Sequence, residues 1–356
     1  MITVAHDALE NLVTEMIGRA GSTPEEARQV AHNLVEANLL GHDSHGVGLV
    51  AQYMRHAKTG TLTVNGHVSL VSDNGAYLLL DGNMAYGQVT GGEAMQLGLD
   101  RARTAGVAIV GLRNTHHLGR IGAWGEICAQ AGFISIHFVN VIGHKPIVAP
   151  HGGAEARYST NPYCTAIPAT DKNPMFVLDM ATSRVAFGKA RVAYNAGKEM
   201  IEGALIDHHG LPTRNAAVMF EEPRGALTSF GQHKGYGLAL LGEILGAALL
   251  GGPVTDPVHE GKDTICNNML TVIIDPKGFG ADIPFASSID AMLGYVTSAR
   301  PGEGVDKVQV PGEPERETGA ARRANGVPVD PGTWALLVEA GVEAGMDRHD
   351  FDGIAV

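Results

Sequence analysis

Apolar residues recur at the three- and four-residue intervals of a helix through the first sixty residues. One apolar stripe runs over Leu9–Ile17 and a second over Ala27–Val35. The sequence Thr-Pro-Glu-Glu at residues 23–26 has the form of a capping box with proline at the first helical position, so it predicts where the second helix begins. A third helical segment is predicted at residues 47–58. The pattern therefore predicts a helical subdomain over residues 1–60.

After residue 60 the pattern changes to short apolar runs, which are typical of strands. Asp-Asn-Gly at residues 73–75 lies between two such runs and indicates a hairpin. Helical spacing returns at residues 91–105, and the long apolar run Tyr236–Leu250 predicts a buried helix. The strand candidates are residues 68–71, 76–80, 107–112, 133–139, 165–168, 175–178 and 270–274. Strands that alternate with helices in this way indicate an α/β protein.

The remaining boundaries follow from composition. Residues 61–310 are predicted to form the sheet-containing domain. Residues 300–332 are rich in glycine, proline and charge, and they predict an extended arm that we place at residues 311–330. The C-terminal segment 331–356 has a helical pattern at residues 333–344, and we expect it to pack on the N-terminal helices.

Charge and cysteine content limit the possible partners. The 356 residues carry 26 basic and 38 acidic side chains, a net charge of −12, and no basic run exceeds Arg322-Arg323, so nucleic acid is not expected as a partner. No apolar stretch has the length of a membrane span and the N-terminus has no leader pattern, so no membrane association is expected. Cys128, Cys164 and Cys266 are widely spaced, which predicts buried free thiols in a reducing cytoplasm.

Two clusters of histidine predict an active site. Gly-His-Asp-Ser-His-Gly at residues 41–46 follows a helical stripe, and Asn-Thr-His-His-Leu-Gly at residues 114–119 lies where a strand gives way to a glycine-rich turn and a helix. Imidazole is the side chain that exchanges protons near neutral pH, and α/β enzymes place reactive groups where strands end. His117 is therefore the best candidate for an acid/base; the alternative is a hydrogen-bonded structural histidine. His116 is expected to face elsewhere and to be structural.

The first cluster allows two interpretations. Ser44 and His45 could hold a substrate oxygen or a cofactor amide, or Asp43 or Ser44 could cap the helix that begins near Val47. His42 and His45, together with His116 and His117, could ligate zinc. No HExxH pattern or cysteine pair accompanies them, so no metal is expected.

The chain has no GxGxxG between a strand and a helix and no GxxxxGK[ST], so a nucleotide cofactor would need another scaffold. Gly87–Gly92 has the wrong spacing and indicates the start of a helix. Several other segments could contact ribose, phosphate or another ligand, although each is equally typical of a turn or of a helix start. They are Asn161-Pro162, Asp179–Ser183, Lys234 before a long helix, and Pro311–Glu315 in the arm.

Together and in this order, the segments resemble the type-2 malate/L-lactate dehydrogenase family, whose relatives include sulfolactate and ureidoglycolate dehydrogenases and a cyclic imine reductase. The resemblance runs over nearly the whole chain, and residues 41–48 are most similar to the broad-specificity 2-hydroxycarboxylate dehydrogenase branch. It is carried by Ser44–Val47 with Tyr53, Asn114–Gly119, Thr160–Pro162, Asp179–Ser183, Lys234–Leu238 and Pro311–Glu313.

This resemblance implies an α/β, non-Rossmann fold of the sulfolactate dehydrogenase type, with a large mixed sheet, a helical N-terminal subdomain and a homodimer. It implies that residues 61–310 bind NAD or NADP. The implied reaction transfers a hydride between C2 of a small 2-hydroxy acid, giving its 2-oxo acid, and the nicotinamide. A cytoplasmic location is expected.

The resemblance also assigns residues. His117 matches the acid/base, Ser44 and His45 match residues that line the substrate and nicotinamide pocket, and Tyr53 matches a tyrosine on the substrate side. The positions that match cofactor-contacting segments are His45, Gly119, Arg120, Ile121, Asp179, Met180, Ala181, Thr182, Lys234, Asn267, Pro311, Gly312, Glu313 and Pro314.

Two departures from the family pattern concern the substrate. Many relatives have arginine three residues after the glycine of Ser-His-Gly, where it pairs with the substrate carboxylate, whereas this chain has Leu49. Arg55, Lys145 and Arg120 are candidate replacements. His116 is asparagine in many relatives.

The expected function is thus a 2-hydroxyacid dehydrogenase. Three alternatives remain open from the sequence. They are a cyclic imine reductase with the same hydride chemistry, a metal-dependent hydrolase built on the four histidines, and a non-catalytic protein that binds a small molecule.

Overall fold

The structure is a computed structural model that describes residues 1–280 and 283–354. Those residues form ten α-helices and twelve strands. The helices are α1 (His6–Arg19), α2 (Pro24–Leu39), α3 (Val50–Thr59), α4 (Gly87–Ala105), α5 (Gly122–Gln130), α6 (Phe187–Asn195), α7 (His233–Gly246), α8 (Phe285–Thr297), α9 (Glu313–Asn325) and α10 (Pro331–Glu343). The strands are β1 (Ile2–Val4), β2 (Ser69–Asn74), β3 (Tyr77–Asp81), β4 (Val107–Thr115), β5 (Ile134–Ile142), β6 (Tyr163–Ile167), β7 (Phe176–Met180), β8 (Leu205–Ile206), β9 (Pro212–Thr213), β10 (Ala226–Leu227), β11 (Cys266–Ile274) and β12 (Val327–Val329).

A seven-stranded sheet forms the centre of the fold, with the strand order β2-β3-β4-β11-β5-β6-β7 in the part of the chain described. The β3–β4 pair is parallel, and the other neighbours are antiparallel. The sheet is therefore mixed, as expected. The predicted hairpin is present, since Asn74 pairs with Tyr77 across Gly75.

Two large hydrophobic cores lie in the part of the chain that the structure describes. Side chains of α1, α2, α3 and α10 form one of them together with Val327 and Val329 of β12, which pairs with β1. The second core lies between the main sheet and helices α4 and α5. The small sheet β10-β8-β9 covers a third, smaller core. Cys128, Cys164 and Cys266 are buried free thiols, as predicted.

The predicted extended arm at residues 311–330 is wrong for most of its length, because Glu313–Asn325 forms helix α9. Pro314 lies in the first turn, acidic residues begin the helix, and Arg322 and Arg323 end it, all of which favour a helix. Both arginines also fix α9 in place, since Arg322 pairs with Asp43 and Arg323 pairs with Glu36.

The predicted burial of the helix at residues 236–250 is wrong on one side. A Cβ at Gly242 would lie 2.7 Å from the Val139 carbonyl oxygen, and one at Gly246 would lie 2.7 Å from the Phe138 carbonyl oxygen. The glycine side of α7 therefore packs directly on strand β5, and the opposite side carries exposed leucine and isoleucine. No helix in the described residues is long and apolar enough to span a membrane.

The main sheet brings three strand ends to one edge. Strand β11 runs antiparallel to both β4 and β5, with Asn267 opposite Thr115 and Cys266 opposite Ile142. The carboxyl ends of β4 and β5 therefore lie on either side of the amino end of β11. The second histidine cluster follows β4 at this edge.

Candidate active site

His117 is positioned by Tyr53, and residues of two further elements hold Tyr53 and the turn that carries His117. Its Nδ1 lies 2.6 Å from the hydroxyl oxygen of Tyr53 on α3. Gln88 Nε2 on α4 donates to the same hydroxyl oxygen over 3.0 Å. The next residue, Leu118, donates its backbone N–H to Asn267 Oδ1 of β11 over 2.8 Å. The ring thus has a defined orientation, with Nδ1 turned into the protein.

The second ring nitrogen of His117 is available to a ligand. The side chain is 8% exposed, and Nε2 has no hydrogen bond to any residue that the structure describes and is not among the fully buried atoms that lack a partner. Burial holds the pKa of His117 well below its usual value, and His45, His116 and His144 lower it further through charge. His117 is therefore neutral at pH 7 and can accept a proton.

His45 stacks on His117, with ring centroids 5.4 Å apart and ring planes 18° apart. Its Nδ1 is buried and has no partner among the described groups, and burial lowers its pKa to about 4. Ser44 is exposed beside it and does not cap the following helix; Asn38 Oδ1 accepts the Val47 N–H instead, over 2.8 Å. Of the two interpretations of Ser44, the cap is therefore wrong.

His116 has a different hydrogen-bond partner from His117, although both rings pack against Tyr53. Its Nε2 lies 2.9 Å from Nδ1 of His56, whose Nε2 lies 3.7 Å from Asp263 Oδ1. Burial lowers the pKa of His116 to about 3. Across residues 1–280 and 283–354, no group of three His, Cys, Asp or Glu side chains is arranged to hold a metal ion. The hydrolase alternative therefore has no ligand set in this part of the chain.

The three candidate cations for a substrate carboxylate differ in their partners. Arg55 pairs with Asp263 over 2.9 Å at the surface. Arg120 is 3% exposed and pairs with Glu126, and its Nη1 lies 4.0 Å from Asp179. Lys145 is exposed and makes no ion pair with any residue described by the structure.

Lys145 also follows a strand that ends on the same side of the sheet as the strand before His117. Strand β5 ends at Ile142, so residues 143–145 leave the sheet at the same end as β4, on the other side of the intervening strand β11. His144, which precedes Lys145, is close enough to lower the pKa of His117 through its charge.

Residues 119–121 connect His117 to helix α5. Gly119 has a φ of +70°, and a Cβ there would lie 2.9 Å from Asn33 Oδ1. The backbone N–H groups of Gly119, Arg120 and Ile121 meet no acceptor in the described chain. The next N–H, of Gly122, donates to Asp179 Oδ2 over 2.7 Å. Asp179 and this turn, which are far apart in sequence, thus meet at the start of α5.

Two other segments with predicted cofactor contacts lie near β7. The first, Met180–Thr182, is the end of β7 and its continuation. The Thr182 hydroxyl donates to the Thr160 and Asn161 carbonyl oxygens, and the Thr182 carbonyl accepts from Phe230, four residues before the exposed Lys234. Pro311–Pro314 lies beside the start of β7, where the Pro311 carbonyl accepts from Val177 over 3.4 Å.

Asn267 uses both ends of its side chain inside the protein. Its Oδ1 accepts from Leu118, and its Nδ2 donates to the Asn140 carbonyl oxygen over 2.9 Å. Its observed contacts therefore hold the His117 turn in place, whereas the family resemblance assigns it to the cofactor.

Sequence reasoning did not identify Gln88 or His56 as parts of the site. Gln88 lies in Gly87–Gly92, which indicated only the start of a helix. A usable signal was present, since a polar residue on the apolar side of a helix needs a buried partner.

The comparisons with known proteins agree with this architecture. The chain belongs to the malate/L-lactate dehydrogenase family, since the family model of that description matches residues 4–338. Hydroxycarboxylate dehydrogenase B of Escherichia coli (strain K12) is 44% identical over 343 residues, which cover 96% of this chain and 94% of the relative. The predicted family resemblance is thereby confirmed.

Solved structures extend the likeness to the fold. Sulfolactate dehydrogenase from Methanocaldococcus jannaschii has a TM-score of 0.86 at 31% identity, covering 98% of this chain and 99% of that one. Delta1-piperideine-2-carboxylate reductase from Pseudomonas syringae pvar. tomato has a TM-score of 0.82 at 27% identity, covering 96% of this chain and 100% of that one. The expected sulfolactate dehydrogenase-like fold is confirmed.

Proposed function

We propose that this protein is an NAD(P)-dependent dehydrogenase that interconverts a 2-hydroxycarboxylate and its 2-oxo acid, with His117 as the acid/base. The observation that carries the proposal is the state of the His117 ring. One nitrogen is anchored by Tyr53, and the other is open beside the stacked ring of His45. The family relationship supports the same chemistry.

The groups around this ring suit a nicotinamide dinucleotide. The unpaired Nδ1 of His45 can bond to a carboxamide, and the three N–H groups of residues 119–121, at the start of α5, can bind phosphate oxygens. Asp179 offers a carboxylate for ribose hydroxyls. We assign the remaining predicted contacts, at Met180–Thr182, Lys234 and Pro311–Pro314, to the same cofactor. When bound, NAD or NADP would supply the hydride acceptor or donor.

His117 moves the proton in this proposal. Because burial keeps the ring neutral, Nε2 can take the hydroxyl proton of the 2-hydroxy acid as hydride leaves C2, and it returns that proton in the reverse reaction. Without such a base, hydride loss would leave a protonated carbonyl of high energy. A positioned acid/base contributes about 10²- to 10⁴-fold in rate.

Lys145 is our proposed partner for the substrate carboxylate. The other two candidate cations, Arg55 and Arg120, are already paired with carboxylates of the protein. A lysine provides a point charge and lacks the fork with which arginine fixes a carboxylate in one orientation. We therefore expect the enzyme to accept several small 2-oxo acids.

The protein is further proposed to act as a cytoplasmic homodimer. Leu240, Leu241 and Ile244 form an exposed apolar side of α7, and a second copy of the chain would cover them. The location rests on the three free buried thiols.

A panel of 2-oxo acids with NADH and NADPH, followed by the absorbance of the reduced nicotinamide, tests the reaction. A cyclic imine assayed in parallel tests the reductase alternative. That alternative is tested because delta1-piperideine-2-carboxylate reductase has a similar fold. We expect His117→Ala to bind the reduced cofactor normally and to lose about 10²- to 10⁴-fold in kcat. The matched variant His116→Asn should keep most of the activity. A kcat near that of the wild type for His117→Ala would reject the assigned role.

A further inference from the structure

We propose that Gln88 is a positioning residue: through the Tyr53 hydroxyl it decides which ring nitrogen of His117 carries the proton. The inference rests on the proposed function, since it concerns the base of that reaction. Gln88 is 1% exposed and lies on α4 behind Tyr53, which is fully buried. Two hydrogen bonds connect the three side chains in series. The distance is 3.0 Å between Gln88 Nε2 and the Tyr53 oxygen and 2.6 Å between that oxygen and His117 Nδ1.

The Tyr53 hydroxyl has one proton and can give it to one partner only. Burial holds the pKa of Tyr53 well above its usual value, so the hydroxyl stays protonated. If Tyr53 donates to His117 Nδ1, the single proton of the neutral ring lies on Nε2. The open nitrogen then has no lone pair for the substrate, and His117 cannot act as a base.

The competent base needs the opposite arrangement. With the ring proton on Nδ1, the Tyr53 oxygen accepts from Nδ1–H, and the Tyr53 proton must go elsewhere. The second partner of this hydroxyl is the carboxamide of Gln88. His117 therefore presents a lone pair at Nε2 only when Gln88 turns an oxygen to Tyr53.

The structure contains the acceptor that this arrangement needs. Gln88 Oε1 is buried and has no partner in the described residues. The oxygen and nitrogen of a carboxamide occupy nearly equivalent positions, so a half-turn of the group brings Oε1 to Tyr53. When Nε2 of His117 then takes the substrate proton, Nδ1–H stays bonded to the Tyr53 oxygen, and the imidazolium keeps both of its protons. The Tyr53 hydroxyl therefore keeps its own proton throughout the reaction.

Other groups near His117 do not set its proton. His45, His116 and His144 act on it through charge, and burial lowers the pKa of each. His144 bonds to the Lys145 carbonyl, and His116 bonds to His56, so neither occupies Nδ1. The hydroxyl of Tyr53 is thus the contact through which the tautomer is selected.

The test compares Gln88→Met, which removes the amide at similar volume, with Gln88→Glu, which keeps an acceptor. Gln96→Met, an exposed glutamine on the same helix, is the matched control. The tautomer of His117 is read by NMR of ¹⁵N-labelled histidine, which needs no activity. We expect the wild type and Gln88→Glu to carry the proton on Nδ1 and Gln88→Met to carry it on Nε2.

Kinetics provide the second measurement. Gln88→Met should lose about tenfold or more in kcat with little change in KM, because only the competent tautomer turns over. Gln88→Glu should retain activity and shift the acidic limb of the kcat/KM profile to higher pH. In a Tyr53→Phe background, Gln88→Met should have no further effect, because its route to His117 is already gone.

Two results would overturn the inference. One is an unchanged His117 tautomer in folded Gln88→Met, and the other is an equal loss of kcat with and without Tyr53. A wild-type protein that reduces no 2-oxo acid would instead refute the proposed function, and the NMR measurement would still decide the role of Gln88.

Discussion

Replacing Gly87 by alanine should impair catalysis by moving His117. Gly87 begins helix α4, and its Cα passes directly against the turn after β4. A Cβ there would lie 2.3 Å from the His117 carbonyl oxygen, 2.5 Å from its carbonyl carbon and 2.6 Å from Leu118 Cα. All three are backbone atoms, so no side-chain rotation can relieve the contact. The turn that carries His117 must shift by about 1 Å to reach an ordinary packing distance.

The magnitude follows from two opposing effects. Alanine in a helix is favoured over glycine by about 1 kcal/mol. Overpacking a filled site costs about 1–3 kcal/mol, so we expect Gly87→Ala to lower the free energy of unfolding by up to about 2 kcal/mol. Because a displacement of 1 Å at a catalytic group costs about 10²-fold, kcat/KM should fall on the order of a hundredfold.

Gly92→Ala is the matched control, five residues further along the same helix. Its Cβ would lie 3.3 Å from Gln29 Nε2, the end of a flexible side chain. This variant should be as stable as the wild type or more so, with kcat/KM within about twofold. Thermal unfolding and steady-state kinetics of both variants test the argument. If Gly87→Ala retained full activity and stability, the close approach would not be what positions His117.

Three further predictions concern other parts of the molecule. Lys145→Met should raise the KM for a 2-oxo acid by about tenfold or more, whereas Arg55→Met should leave it unchanged. Steady-state kinetics measure both, and an unaltered KM for Lys145→Met would exclude Lys145 as the partner of the substrate carboxylate. Burial lowers the pKa of His137 to about 3, so between about pH 3 and 6.5 the unfolded chain binds a proton that the folded chain does not, and the free energy of unfolding should fall as the pH drops through this window. Denaturant titrations at pH 5 and 7 should show a smaller loss for His137→Asn, and an equal loss would contradict the assignment. Ile244→Glu should halve the mass measured by light scattering and Leu211→Glu, exposed elsewhere, should not; a dimer that survives Ile244→Glu would place the interface on another surface.

Local periodicity predicted most of the regular structure correctly. The strand candidates at residues 107–112 and 270–274 became β4 and β11, because unbroken apolar runs suit strands in the middle of a sheet. Helix α9 is not evident from composition, because the signals that favour it depend on the position of each residue. A high content of proline and charged residues is typical of a loop. In α9, however, the proline and glutamates lie in the first turn and the arginines in the last turn, where they favour a helix.

The sequence could not show which side of α7 is covered. Its leucines indicated burial, yet its glycines are what pack on the sheet, since they let the helix come close to β5. A local pattern reports which side chains are apolar, and it does not report what lies against them.

The candidate site divides in the same way. His117 and Tyr53 could be named from their motifs, but the hydrogen bond between them joins residues 64 positions apart, and no local pattern predicts it. Arg120 was a candidate for the substrate carboxylate because its sequence neighbours do not reveal the ion pairs with Glu126 and Asp179. The role of Gln88 depends on Tyr53 of α3 and on His117 after β4, so it can be recognised only from the tertiary structure.

The buried polar atoms that lack partners give an independent argument for the location of the site. In the described residues they are Ser22 Oγ, Asn33 Oδ1, His45 Nδ1, His56 Nε2, Tyr86 Oη, Gln88 Oε1, His116 Nδ1 and Glu315 Oε2. Most of them lie on side chains that contact Tyr53, His117 or the Gly119 turn. Folded proteins rarely leave such atoms unpaired, because each costs about 1–3 kcal/mol. His45 Nδ1 is the member of this set that lies beside the open nitrogen of His117, so it is the atom that a bound ligand would satisfy, whereas Gln88 Oε1 is the atom that a half-turn of its carboxamide would bring to Tyr53.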